Sequence, residues 1–221
     1  MTARSLSWGL HSPTGAMIES VATWDESEDQ RARFQRTVRP GSLLLASTNL
    51  LEPTFRRTVI YVVEHNDSGS LGVVLNCPSE TAVHNVLPLW APLTAQPHVL
   101  YIGGPVNREA ALCLGTVRPG FSADGVKGLR QVEGRTVMID LDADAEFLAP
   151  LLQGVRIFVG YAGWSASQLD AEIARGDWMV FPSLTADVLA HARIDLWARI
   201  LRRQEGKLSM LATHPIELER N

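Results

Sequence analysis

Between residues 58 and 75 the sequence writes an antiparallel hairpin. Thr58-Val59-Ile60-Tyr61-Val62-Val63 is a short β-branched and aliphatic run bounded by breakers, which reads as a buried strand. Asn66-Asp67-Ser68-Gly69 follows, its first three residues suited to side-chain-to-backbone turn bonds and its glycine to positive φ. Gly72-Val73-Val74-Leu75 then carries the chain back. A tight antiparallel return argues against a doubly wound parallel sheet, where each strand is followed by a crossover helix.

The remaining elements mix without strict alternation. Ser42-Leu43-Leu44-Leu45, Val99-Leu100-Tyr101-Ile102, Val137-Met138-Ile139, Val155-Arg156-Ile157-Phe158-Val159 and Trp178-Met179-Val180-Phe181 read as strands. Asn107 is placed to cap a short helix through Leu114, with Gly115 as its stop, and Asp142 a helix ending at Gly154. Ser165 with Gln168 forms a capping box for a helix that buries Leu169 and Ile173 and stops at Gly176. Leu184, Val188, Leu189, Ala192, Leu196 and Ile200 make a helical stripe running to about Arg203. The pattern is α+β (mixed α/β). A single domain over residues 40–205 is expected, with a frayed tail over 206–221. Residues 1–39 balance their charges and lack apolar periodicity, so they read as a poorly ordered extension, with a weak helix at most over Glu26–Arg36.

Composition narrows the function classes. The 221-residue chain carries 20 Lys+Arg against 24 Asp+Glu, a net charge of −4, which speaks against a broad nucleic-acid-binding face. The first twenty residues hold no continuous apolar run, so no signal peptide is expected, and no string approaches the ~18–20 residues that span a bilayer. Cys77 and Cys113 fit no C-x-x-C pattern and suit a reduced compartment. A soluble, cytoplasmic protein without membrane association is expected.

Two strand–glycine junctions stand out as places for chemistry. Ile102-Gly103-Gly104-Pro105-Val106-Asn107 and Gly160-Tyr161-Ala162-Gly163-Trp164-Ser165 each leave a strand for a predicted helix, where free backbone N–H groups can hold an anion. Neither matches a nucleotide-binding fingerprint. Gly163-Trp164-Ser165-Ala166-Ser167 approaches the G-x-S-x-G nucleophile elbow but has Ser167 where the last glycine belongs. Asp187 and His191 follow in triad order, yet on one predicted helix, so Ser165 as a plain cap explains the residue with fewer demands. His65 ends a strand at a turn, where an imidazole can serve as base, ligand or anchor. His84, His98, His191 and His214 show no metal-ligand spacing. No cofactor and no metal are expected. Tyr161, Trp164 and Trp178 gather around one helix, and the basic residues Arg193, Arg199, Arg202, Arg203 and Lys207 read as a solvated helical face.

Several segments taken together resemble the YqgE/AlgH family. They are Gly41-Ser42-Leu43-Leu44-Leu45-Ala46, Leu50 and Glu52-Pro53-Thr54-Phe55, Glu64-His65-Asn66, and Leu71-Gly72-Val73-Val74-Leu75-Asn76-Cys77-Pro78. Gly103-Gly104-Pro105-Val106 and Gly160-Tyr161-Ala162-Gly163-Trp164, with Gln168-Leu169, Glu172 and Trp178, complete the resemblance over residues 40–181. Thr48 stands where the family usually has proline, Glu52 where it has aspartate, and Cys77 where a basic residue commonly precedes the proline. The resemblance implies a coiled, bifurcated mixed β-sheet forming a pseudo-barrel with flanking helices, in a bacterial cytosolic protein. It also implies a proposed link to transcriptional regulation, and no reaction. No helix-turn-helix, basic region or zinc-finger spacing accompanies it here, so a direct nucleic-acid contact is not expected.

The expectation is a non-enzymatic binding or regulatory protein with a pocket where the two glycine junctions approach the 58–75 hairpin. Its expected lining is His65, Asn76, Gly103, Gly104, Tyr161, Gly163, Trp164 and Gln168. Gly103, Gly104 and Gly163 would bring backbone donors to a small anionic ligand. His65, Asn76 and Gln168 would add directional hydrogen bonds, and Tyr161 and Trp164 an apolar wall. A protein partner is the other expected occupant. The alternative is a hydrolase using Ser165 or His65.

Overall fold

The computed structural model describes residues 37–213, apart from Asn49 and Leu51. The expected Glu26–Arg36 helix, and all but the last three residues of the expected extension, lie outside that range.

Ten strands build one curled sheet. β1 (Ser42–Ala46) lies between β10 (Trp178–Pro182) and β2 (Val59–Asn66), and β2 returns through the Asn66–Gly69 turn into β3 (Gly69–Val74). The 58–75 hairpin is therefore present, with a bulge between Val62 and Glu64. The sheet continues as β3–β9–β6–β8–β7, where β9 is Leu152–Ser165, β6 Val106–Val117, β8 Thr136–Ile139 and β7 Leu129–Glu133. β4 (Pro78–Ala82) and β5 (Val99–Ile102) form a side branch, and β5 joins β9 by the one parallel pairing among the named strands.

β9 is where the sheet divides. Ala162–Ser165 pair with β3, whereas Phe158 and Val159 pair with β5, and Gly160 between them takes φ +70. The far ends then curl toward each other. Arg130 on β7 meets Glu64 on β2 at 2.6 Å, and a Cβ on Gly41 would strike Glu133 of β7. The result is a half-barrel of largely antiparallel strands with a few short helices, an α+β pseudo-barrel.

Alternation sends side chains to two buried faces. Leu43, Leu45, Tyr61, Val73, Tyr101, Leu114 and Phe158 fill the inner face. The segments α3 (Thr185–Val188), α4 (Leu196–Arg202) and α5 (Lys207–Leu211) come with it, and Val188, Leu196, Trp197, Ile200 and Leu201 pack into the same core. Leu44, Ala46, Ile60, Val62 and Trp164 face outward under α2 (Gln168–Ala174), whose Leu169 and Ile173 complete that layer. A third core joins the outer face of β6, β8 and β9 to α1 (Ala145–Leu148) and the 83–93 turns.

Four sequence expectations change. Residues 107–114 are strand, not helix, because Leu112 and Leu114 serve the inner core while Cys113 and Val117 serve the outer one. Asn107, at φ +45, opens a bulge instead of capping a helix. The helix expected over 142–154 shrinks to α1, capped by Asp144, whose Oδ1 accepts from the Glu146 and Phe147 N–H groups at 3.0 and 3.2 Å. Pro150, which has no N–H to donate, lies just past its end. The stripe from Leu184 to Ile200 breaks into α3 and α4, because the Val188 and Ala190 carbonyls accept from Arg156 Nη1 at 3.1 and 2.8 Å instead of continuing a helix. Finally, β9 runs unbroken through the second glycine junction to Ser165. The expected tail begins with a helix, α5.

Candidate functional site

The polar cavity of interest is an open groove of about 540 Å³ on the outer face, between the tip of the β2–β3 hairpin and the start of α2. His65, Asn66, Asp67, Gly69, Ser70, Ser165, Ser167, Leu169 and Asp170 line it. The bulge between Val62 and Glu64 sends Glu64 toward Arg130 and leaves His65 opposite Ser70, the pairing that faces the groove. His65 Nδ1 and Ser70 Oγ stand 2.8 Å apart, the ring nitrogen donating or accepting according to its tautomer. Asn66 Oδ1 accepts the Ser68 N–H at 2.8 Å and sets the turn. Ser167 enters α2 at φ +60.

Gln168 braces Ser165 of the lining from behind. Its Oε1 accepts from both the backbone N–H and the hydroxyl of Ser165, at 3.0 and 3.1 Å, and its Nε2 donates to Glu172 Oε1 at 3.0 Å. Half of the expected capping box is thus present, with Ser167 and not Ser165 in the N-cap position. Glu172 Oε2 in turn accepts from the indoles of Trp164 and Trp178, each at 2.8 Å. The two indoles meet edge to face at 6.0 Å, and Phe55 meets Trp178 the same way at 5.6 Å. Trp164 is 7% exposed, so its ring supports the groove from beneath and presents almost no surface to it.

The other expected residues lie along the strands behind. Asn76 bridges two stretches of main chain: Oδ1 accepts the Val59 N–H and Nδ2 donates to the Arg57 carbonyl, both at 2.9 Å. The two glycine junctions do approach each other and β3, for the Val74 N–H donates to the Gly103 carbonyl at 2.9 Å. They meet main chain on main chain. A Cβ on Gly103 would sit 2.3 Å from the Gly160 carbonyl oxygen, and one on Gly104 2.2 Å from the Tyr161 carbonyl carbon. Gly103 spends its own N–H on the Val159 carbonyl at 2.8 Å. Tyr161 is half-buried against the inner core, and Gly163, opposite Leu71, is exposed. Of the eight, then, His65 lines the groove, Trp164 and Gln168 buttress it, and the remaining five set the strands that carry it.

Sequence reading did not single out Ser70, Ser167 or Asp170. The left-handed Ser167 and the cross-strand partner of His65 are products of register, and no short motif announces either. Asn66, Asp67 and Gly69 were legible as turn residues.

The groove's chemistry is that of hydrogen bonding and negative charge. Asp67 and Asp170 contribute carboxylates, and no Lys or Arg is in the lining. Ser165 donates its hydroxyl to an amide oxygen and not to a base. Asp187 is fully buried, held by Arg199 at 3.0 Å and Arg203 at 2.9 Å, while His191 Nδ1 accepts the Arg193 N–H, so these two side chains are committed elsewhere. Burial pushes both cysteine thiols up, with Arg108 partly opposing this at Cys77. Among the described residues no group of three or more His, Cys, Asp or Glu is placed to hold a metal, and no helix is long and apolar enough to cross a membrane.

Comparison with known proteins agrees with this architecture. A UPF0301 protein from Rhodococcus opacus is 64% identical over 201 residues, covering 91% of this chain and all of the relative. One from Mycolicibacterium smegmatis is 62% identical over the same shares. A crystal structure of a Corynebacterium diphtheriae protein, 39% identical, superposes with a TM-score of 0.79 over 80% of this chain and 93% of its own. The solution structure of the Pseudomonas aeruginosa AlgH protein, 27% identical, gives 0.59 over 81% and 98%. An AlgH-like family model matches residues 43–209, from the second residue of β1 to the middle of α5, and the chain belongs to that family.

Proposed function

We propose that the protein is a non-enzymatic, cytosolic binding or regulatory protein whose partner engages the groove between the hairpin tip and α2. The observation that carries this reading is the lining itself: a preformed polar depression with two carboxylates, several hydroxyls and one imidazole, braced from behind by the Gln168–Glu172–Trp164–Trp178 network. The negative lining favours a partner that presents a cationic or donor-rich segment over a small anion at this place. Any regulatory effect on transcription then runs through that partner, since a chain of net charge −4 lacks the electrostatics for direct DNA contact.

Amide chemical shifts test the reading. Arginine amide, lysine amide and spermidine are titrated against phosphate and acetate controls. Saturable shifts at residues 65–70 and 165–170 are expected from the cations alone, and they should vanish in the Asp67→Asn/Asp170→Asn double variant. Cation shifts absent from the groove, or unchanged in that variant, would overturn it.

A further inference from the structure

The inner face of the half-barrel carries an arginine in its core. Arg156 on β9 is 2% exposed. Nη1 donates to the Val188 and Ala190 carbonyls, Nη2 reaches the Gln96 carbonyl at 3.4 Å, and Cζ lies 4.2 Å over the Tyr101 ring. Among the described residues no carboxylate forms an ion pair with it, and its Nε–H has no acceptor. A buried guanidinium is ordinarily matched by a negative charge.

Its neighbours share the deficit. The Tyr101 hydroxyl and Thr116 Oγ1 are also buried without partners, on residues each 1% exposed. Register gathers them. Leu114 pairs with Arg156 and Thr116 with Gly154, so Thr116 is a diagonal neighbour of Arg156 on the inner face. Tyr101 pairs with Phe158, the next inward residue of β9. Thr136, opposite Thr116, continues the row toward the Tyr61 hydroxyl, which is likewise unpartnered. Beside the three carbonyls that Arg156 already holds, its Nε–H and the Tyr101 and Thr116 hydroxyls remain unpartnered. Each of the three can donate, so one acceptor among them would serve all three. A water molecule could accept from them but would leave the positive charge unmatched.

We infer that the inner face holds a small monoanion, a halide or a formate-sized carboxylate, against Arg156 between Tyr101 and Thr116. This site is independent of the outer groove and of the function proposed for it, because Arg156 faces the opposite side of the sheet from His65 and Ser70. The anion accepts from Nε–H and the two hydroxyls and supplies the absent charge. Arg156 also grips the carbonyls at the end of α3, so occupancy bears on how firmly the helical cover is held.

Thermal unfolding of the full chain at fixed ionic strength tests this, with bromide and formate titrated against gluconate, a much larger anion, as the control. Above half-saturation each tenfold rise in bromide or formate should raise Tm by roughly 3–5 °C. Tyr101→Phe and Thr116→Val remove only orphan hydroxyls, so in gluconate both should match or exceed the parent, while their anion affinity falls about tenfold. Anomalous diffraction from crystals grown in millimolar bromide should place a peak within hydrogen-bonding distance of Arg156 Nε. Equal Tm in all three anions, an anion response unchanged in both variants, or water alone at Nε would each overturn the site. Should Arg156→Met fail to fold, the two hydroxyl variants still decide the question.

Discussion

A carboxylate that accepts from two indole N–H groups at 2.8 Å each cannot be removed without leaving both donors unmet. Glu172 is such a residue. It sits half-buried on α2 and joins Trp164 of β9 to Trp178 of β10, which are four places apart in the strand order. Its other oxygen takes Gln168, and so Ser165, into the same network. Hydrogen bonds to charged groups contribute about 1.5–3 kcal/mol apiece, but here the shared carboxylate is partly open to solvent. Glu172→Ala should therefore cost about 2–3 kcal/mol in urea unfolding and lower Tm by roughly 5–10 °C. Glu172→Gln can still accept one indole N–H, so it should recover about half of the loss. A Glu172→Ala protein as stable as the parent would show that the indoles find other acceptors. At this scale the sequence was informative about identity and silent about use. Trp164, Gln168 and Asn76 were singled out as ligand contacts, yet the first two hold each other through Glu172 and the third pins main chain. What distinguishes the uses is which acceptor a side chain meets across the sheet, and that depends on register.

Between elements, Asp187 does for the helical cover what Glu172 does for α2. Its carboxylate is fully buried and is met by Arg199 Nη2, by both terminal nitrogens of Arg203 and by the Leu184 N–H, so it ties the start of α3 to α4 and to the residue just past its end. Breaking one partner of a buried ion pair strands the others' charge. Asp187→Asn should cost about 3–5 kcal/mol, and hydrogen exchange should accelerate in α3 and α4 before the strands respond. Uniform acceleration across the sheet would argue that the cover and the half-barrel open as one unit. The strands β1, β2, β3, β5, β8 and β10 were legible because each is a compact apolar run between breakers. The helices were less so. The stripe from Leu184 to Ile200 has true helical spacing, but Arg156, some thirty residues earlier, takes the Val188 and Ala190 carbonyls that a continuous helix needs. In the same way Asn107–Leu114 carries residues compatible with a helix, and only the two cores flanking β6 make period two the better solution. Both errors are long-range interactions overriding local pattern.

For the whole molecule, dividing β9 at Gly160 turns a single sheet into a half-barrel with a buried inner face, and that face carries phenols as well as aliphatic side chains. The family resemblance conveyed this coiled, bifurcated form; periodicity alone reached only the mixture of strands and helices. Tyr61 is completely buried, and the loss of hydration on burial pushes its hydroxyl up to about 12, with Glu133 adding to the rise. Thr136 and Ser183 lie close enough to offset this in part, without closing a hydrogen bond. In the unfolded chain the same phenol ionises near its usual value of about 10. The folded state thus binds the proton more tightly than the unfolded state does. Stability from this group is fully present below pH ~10 and is lost progressively as pH rises toward ~12, at up to about 1.4 kcal/mol per pH unit. Tyr101, also raised by burial though partly offset by Arg156, adds to the same slope. Urea unfolding followed from pH 8 to 11.5 should show stability beginning to fall at about pH 8.5–9, where the buried thiols of Cys77 and Cys113 contribute, and falling more steeply above pH ~10, where the phenols join. Tyr61→Phe should fall visibly less steeply, because its core position has no proton to lose. If both proteins lose stability in parallel, the alkaline sensitivity belongs to groups other than Tyr61.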